Sequence, residues 1–113
     1  MQTDLINDLQ HEIQVLTASV NRLMQTGTAK AQADHDYRVA LAQEILIQKD
    51  KGMQATLMSD VCRGKKEIAK LRLERDIAET VYQVNIEVIN AKKLIIRVME
   101  SQISREWGRN DQT

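Results

Sequence analysis

The chain contains no proline and no phenylalanine, and aromatic residues make up only 3% of it. With so few rings it has little material for a wide globular core, and with no proline nothing imposes a break on a long helix. Cys62 is the single cysteine, which excludes an internal disulfide and fits a reducing compartment. The four glycines are isolated at positions 27, 52, 64 and 108, so there is no glycine-rich phosphate loop. The longest apolar runs are far too short to cross a membrane. The start of the chain lacks a basic segment followed by an apolar stretch, so no secretory signal is expected. Lys and Arg equal Asp and Glu at 16 each, and no global field draws the chain to nucleic acid or to an acidic membrane.

What is present is helical pattern. Charged residues are 28% of the chain and scattered, the composition of long solvated helices. The charge is not evenly shared. Residues 1–62 carry five basic against eight acidic groups, and residues 63–113 carry eleven against eight. Pairing would bring unlike halves together, with an attraction that is weak at a surface and screened by salt.

The first 26 residues read as a coiled-coil helix. Ile6, Ile13 and Val20 occupy heptad position a, and Leu9, Leu16 and Leu23 position d. Branched residues at a with leucine at d favour a parallel two-stranded coiled coil. The flanking positions, among them Gln10, Glu12, Thr17 and Ser19, carry little charge, which favours self-pairing over a charge-coded heterodimer. The alternative is that this helix folds back onto its own chain as a member of a bundle, which an a/d seam also fits. Thr3 is the expected N-cap, with Asp4 in the first turn. "TGT" at residues 26–28 is expected to end the helix, with Gly27 just past its terminus.

Residues 27–113 read as a helical hairpin with a short capping helix. A second helix is expected over residues 29–51, with Tyr37, Leu41, Ile45 and Ile47 inward and Gly52 at its end. Residues 55–63 are expected to form the cap, closed by Gly64, with Leu57, Met58, Val61 and Cys62 buried. From Lys65 to Trp107 there is neither proline nor glycine, and one long helix is the natural reading. Pairs four apart support it: Lys70–Glu74, Arg72–Asp76 and Arg75–Glu79. The alternation in "YQVNIEV" suits a strand, but helical pattern flanks it on both sides without a turn residue. Two apolar stripes run along this helix. One is Ile68, Leu71, Ala78, Tyr82, Ile89, Ile96, Met99 and Ile103; the other is Leu73, Ile77, Val81, Val84, Val88, Ala91, Ile95 and Val98. One neighbour needs only one stripe, so the second points to association between chains. The fold class expected is all-α, as an oligomeric bundle: a homodimer or a dimer of dimers.

Constellations for chemistry are sparse. His11 and His35 are the only histidines, and "DHD" at 34–36 splays its side chains about 100° apart on a helix. Asp34 fits better as an i,i+4 partner of Arg38, and no zinc spacing is present, so neither metal nor cofactor is expected. Cys62 has no histidine nearby in sequence and reads as a buried inert thiol. Without nucleophile, base and orienting group together, no enzyme activity is expected. The basic run "RGKKEIAKLRLER" is the exception to an otherwise featureless charge pattern. Arg63, Lys65, Lys66, Lys70, Arg72 and Arg75 offer a candidate face for a partner protein or for nucleic-acid phosphates. The competing reading is a solvated face tied by ion pairs. No aromatic residue interleaves with the basic ones to stack bases. Trp107 is expected to pack at the end of the long helix or to serve as an exposed anchor.

From Tyr37 onward, the segments "YRVALAQEILIQKDKGMQATLMSDVCRGKKEIAKLRLERDIAETVY", "INAKKL" and "SQISREW" resemble small helical accessory proteins encoded by tailed phages and prophages of Gram-positive bacteria. The N-terminal heptads have no match in that group. The resemblance implies a cytoplasmic protein made early in infection, near genes for recombination or replication, that acts by binding. The function expected is non-enzymatic: binding and modulating or inhibiting a host or phage protein, such as recombination machinery, a replication factor or a defence nuclease. The second expectation is an accessory protein that holds nucleic acid through the basic face without reading sequence.

Overall fold

The computed structural model describes residues 2–111, with side chains from Thr3 to Arg109. The described chain is all-helical. Helix α1 covers Gln2–Asp50, α2 Ala55–Gly64 and α3 Lys66–Asp111. The competing strand signal at 82–88 lies wholly within α3. α3 is helical as far as Asp111, the last described residue.

The break expected at "TGT" is absent. α1 runs through Gly27 without interruption, and Gly27 keeps an ordinary negative φ, since Gly52 is the only described glycine with a positive one. A glycine inside a helix costs about 1 kcal/mol relative to alanine, which cooperative helix on both sides absorbs. Gly27 also has a packing role: a Cβ there would sit 3.4 Å from Cε2 of Tyr82, so the missing side chain lets that ring lie against the α1 backbone. Since α1 begins at Gln2, Thr3 lies inside its first turn and is not the N-cap, while Asp4 does stand in that turn.

α1 ends where expected, at a Schellman turn. Gly52 N–H donates to the Lys49 carbonyl at 3.0 Å and Met53 N–H to the Gln48 carbonyl at 3.1 Å, with Gly52 at φ 85°. The left-handed conformation falls on the residue that adopts it without steric cost. α2 meets α3 at Lys65, whose extended backbone (φ −63°, ψ 138°) separates the two helices. The predicted buried side of α2 is half right: Cys62 is fully buried and Met58 half-buried, but Leu57 and Val61 are exposed. A ten-residue helix turns only a narrow face inward, and these two residues lie beside it.

The chain divides into two compact units, each a pairing of α1 with α3. One joins the chain up to Met24 with the chain from Gln83 onward; the other is Gln25–Tyr82 and contains α2. In the first, Glu12 pairs with Lys92 at 2.7 Å, and the Asn85 side-chain amide donates to the Ser19 carbonyl at 2.9 Å, so the helices run antiparallel. Ile89 and Ile96 are buried, with Leu9, Leu16, Leu23, Ile86, Met99 and Ile103 half-buried around them. Ser19 and Asn85 are buried as well, forming a polar layer that holds the register. In the second unit Gly27 meets Tyr82, Arg75 lies over Tyr37 and Lys65 pairs with Glu44, again antiparallel. Its core is Tyr37, Cys62 and Ile68, with Leu41, Ile45, Met53, Leu71 and Ala78 half-buried. Ile47, expected inward, is exposed near the end of α1.

Every member of the first α3 stripe read from the sequence is buried or half-buried, and most of the second is exposed. The N-terminal seam divides. Ile6, Leu9, Leu16 and Leu23 are half-buried, whereas Ile13 and Val20 are exposed at 42% and 47%. The inward heptad position is filled instead by Leu5, Glu12 and Ser19, one residue before the a positions. In this chain, then, the d leucines are covered by its own α3.

Candidate functional site

Two surfaces stand out once the helices are paired. The first is apolar. Within Gln25–Tyr82, α3 exposes Leu73, Ile77 and Val81; from Gln83 onward it exposes Val84, Leu94, Ile95 and Val98. Val84 and Val98 are each 56% exposed. Apart from Leu94, these residues follow a row of three- and four-residue steps, continued through Val88 and Ala91, about 100° round the helix from the stripe that packs on α1. Scattered apolar residues are normal on a surface; a periodic row of branched ones is not. Val88, in the same row, is half-buried. Trp107 near the end of α3 is 54% exposed, so of its two expected roles the docked one is not seen within the chain.

The second surface is basic, and it is arranged differently from the run in the sequence. Arg63 of α2, Arg72 and Arg75 of α3, and Arg38 of α1 line one cavity of about 400 Å³ together with Tyr37 and Leu41. No carboxylate lines it. The Arg75 guanidinium lies 4.5 Å from the Tyr37 ring centroid and donates to Asp76 through Nε at 3.1 Å and Nη2 at 2.9 Å. Hydrogen bonding to Asp76 raises the Arg75 pKa above its ordinary value, outweighing burial, so its charge is fixed. The expected partner was Glu79; Asp76 is adjacent and close enough for a forked contact. Arg38 pairs with Asp34 at 2.9 Å, as the i,i+4 spacing predicts. Arg63 and Arg72 are exposed, with no ion pair or hydrogen bond among the described residues.

The remaining members of the run separate from this cavity. Lys65 binds Glu44, and that contact raises the Lys65 pKa; the carboxyl of Glu44 is lowered by Lys65 first and by the Gln48 amide second, against the opposing effect of burial. Lys66 and Lys70 are exposed outside the cavity lining. The sequence marks Arg38 only as the partner of Asp34 and not as a member of the basic site, because it lies 25 residues before Arg63 and only the antiparallel pairing of α1 with α3 brings it in.

A second cavity of about 540 Å³ shares Arg38 and Arg75 and is lined further by Gly27, Lys30, Asp34, Glu79 and Tyr82. Lys30 stands 5.1 Å from the Tyr82 centroid. Asp34 and Glu79 offset two of its three cations, so it lacks the single sign of its neighbour. Among the described residues no three His, Cys, Asp or Glu groups gather as metal ligands, and no helix is long and apolar enough to cross a membrane. The chain matches no protein-family model, no curated protein and no solved structure.

Proposed function

We propose that this chain is a non-enzymatic interaction protein that pairs with a second copy of itself and, as a homodimer or a dimer of dimers, binds a host or phage protein and obstructs or modulates it. The observation that carries this reading is the periodic row of exposed branched residues on α3. Each side chain is already about half covered, so burying it stabilises by roughly 1 kcal/mol. A two-fold interface counts each residue twice. Val84, Ile95 and Val98 then supply roughly 6 kcal/mol, within the range that association itself costs. Leu73, Ile77 and Val81, on the Gln25–Tyr82 unit, supply roughly 6 kcal/mol by the same reckoning.

The non-enzymatic part rests on the setting of the reactive groups. The only thiol, Cys62, is fully buried, and His11 and His35 are exposed on different units. A place among early phage accessory proteins in the host cytoplasm rests on the sequence resemblance. The second reading, a nucleic-acid-binding accessory, draws on exposed Arg63, Lys66, Lys70 and Arg72.

The test is capture from a Gram-positive host lysate, with and without nuclease, by wild type and by a Val84→Lys, Val98→Lys double variant. Both positions are exposed, and unchanged helicity by circular dichroism confirms that the variant is folded. The proposal expects a protein retained by wild type after nuclease and lost by the variant. Material that vanishes with nuclease, and is indifferent to the variant, would favour the nucleic-acid reading instead.

A further inference from the structure

We propose that the arginine-walled cavity of the Gln25–Tyr82 unit is a binding site for a phosphate dianion, carried by a phosphomonoester or by free phosphate. The proposal is independent of self-association, since it uses none of the exposed apolar residues. Four guanidinium groups, from Arg38, Arg63, Arg72 and Arg75, line one surface cavity that no carboxylate lines. Like charges gathered in this way repel one another, and Arg63 and Arg72 have no ion-pair partner among the described residues to offset it. Charge sets the kind of ligand. Asp34 neutralises Arg38 and Asp76 neutralises Arg75, which leaves the charge of two guanidinium groups, those of Arg63 and Arg72. A phosphomonoester near neutral pH carries roughly −1.5 to −2, which matches that excess. A carboxylate would leave about half of it unbalanced.

Geometry agrees with charge. Arg75 is held by Asp76 and by the Tyr37 ring, and Arg38 is held by Asp34, so two guanidinium groups are oriented in advance, each keeping N–H groups beyond those its carboxylate takes. Arginine's planar fork suits phosphate oxygens better than the point charge of lysine. Arg63 and Arg72 are free to close on the ligand from α2 and α3. At about 400 Å³ the cavity falls at the small end of small-molecule sites and exceeds a bare phosphate. Tyr37 and Leu41 give it an apolar wall, and the neighbouring cavity that shares Arg38 and Arg75 leaves room for the organic part of an ester.

The probes are inorganic phosphate, adenosine 5′-monophosphate and adenosine, titrated into the full chain at low salt and followed by the amide NMR signals of residues 37–41 and 72–75. A short DNA duplex serves as a further probe. Saturable shifts with phosphate and with the monophosphate, and none with adenosine, are expected. Arg63→Gln with Arg72→Gln should weaken binding by roughly tenfold or more. Both side chains are exposed, and an unchanged thermal melt confirms that the fold is intact. Lys66→Gln with Lys70→Gln, outside the cavity, should leave the affinity within about twofold. The proposal is overturned if phosphate and the monophosphate show no saturation in the millimolar range. It is overturned equally if the lysine pair matters as much as the arginine pair, which would mean a diffuse basic face. Duplex binding without binding of either phosphate probe would also overturn it and assign the arginines to a nucleic-acid backbone.

Discussion

Replacing Gly27 with alanine distinguishes a continuous α1 from two helices joined at "TGT". If Gly27 were a helix terminus in a left-handed conformation, a Cβ would cost about 1 kcal/mol or more. In the structure it is mid-helix with negative φ, so alanine gains about 0.8–1.0 kcal/mol of helix propensity. The opposing term is contact with Tyr82. The new Cβ would stand 3.4 Å from Cε2 and 3.9 Å from Cδ2, at the near edge of ordinary van der Waals distance. A shift of the ring by a tenth or two of an ångström relieves this, at a cost of roughly 0.2–0.4 kcal/mol. The net expectation is a gain of about 0.5 kcal/mol, raising the melting temperature by roughly 2–4 °C. Circular dichroism at the helical band, as a function of temperature and of urea, reads both quantities. A loss of 1 kcal/mol or more for Gly27→Ala would refute the unbroken helix.

Gly52→Ala should do the reverse, destabilising by about 1 kcal/mol in the same assay, because Gly52 holds φ 85° with open space around it and the cost is conformational alone. Asn85→Ala removes the bond to the Ser19 carbonyl within a buried layer and should lower the unfolding free energy by about 1–2 kcal/mol in urea titrations; no change would mean the layer is hydrated rather than locked. The Glu44–Lys65 pair predicts a pH dependence on both sides. The folded carboxyl of Glu44 lies below its ordinary 4.5, so its contribution is full above that value and is lost as pH falls through the lowered one. Lys65 lies above its ordinary 10.5, so its contribution is full below that value and is lost as pH rises through the raised one. Wild type and Glu44→Gln should therefore differ in urea midpoint near neutrality and converge as pH falls through the lowered Glu44 pKa, and a constant gap would remove the pair from the account.

The long α3 was legible because seven-residue spacing runs from Ile68 to Ile103 with no proline or glycine between Lys65 and Trp107. The same spacing separated its inner stripe, Ile68 to Ile103, from the outer one, Leu73 to Val98, and the structure buries the first while leaving most of the second exposed. Gly27 misled for a physical reason. Local propensity registers a glycine as a stop, but the ring that occupies the vacated space belongs to Tyr82, 55 positions further on. The N-terminal heptads were ambiguous in a different way. Leu9, Leu16 and Leu23 fit either a second copy or the chain's own α3, and only the pairing of Ser19 with Asn85 shows which face turns inward. The basic site was half visible. The run from Arg63 to Arg75 stood out, but the division between cavity-lining Arg63, Arg72 and Arg75 and outlying Lys65, Lys66 and Lys70, together with the entry of Arg38, depends on tertiary pairing.

Sedimentation equilibrium of the full wild-type chain, over concentrations from low to high micromolar, tests the proposed self-association most directly. The account predicts a mass of twice 12.9 kDa or more, falling to that of a single chain in the Val84→Lys, Val98→Lys variant with its helicity intact. A wild-type mass of 12.9 kDa at every concentration would contradict it and leave the exposed row on α3 without a second copy to cover it.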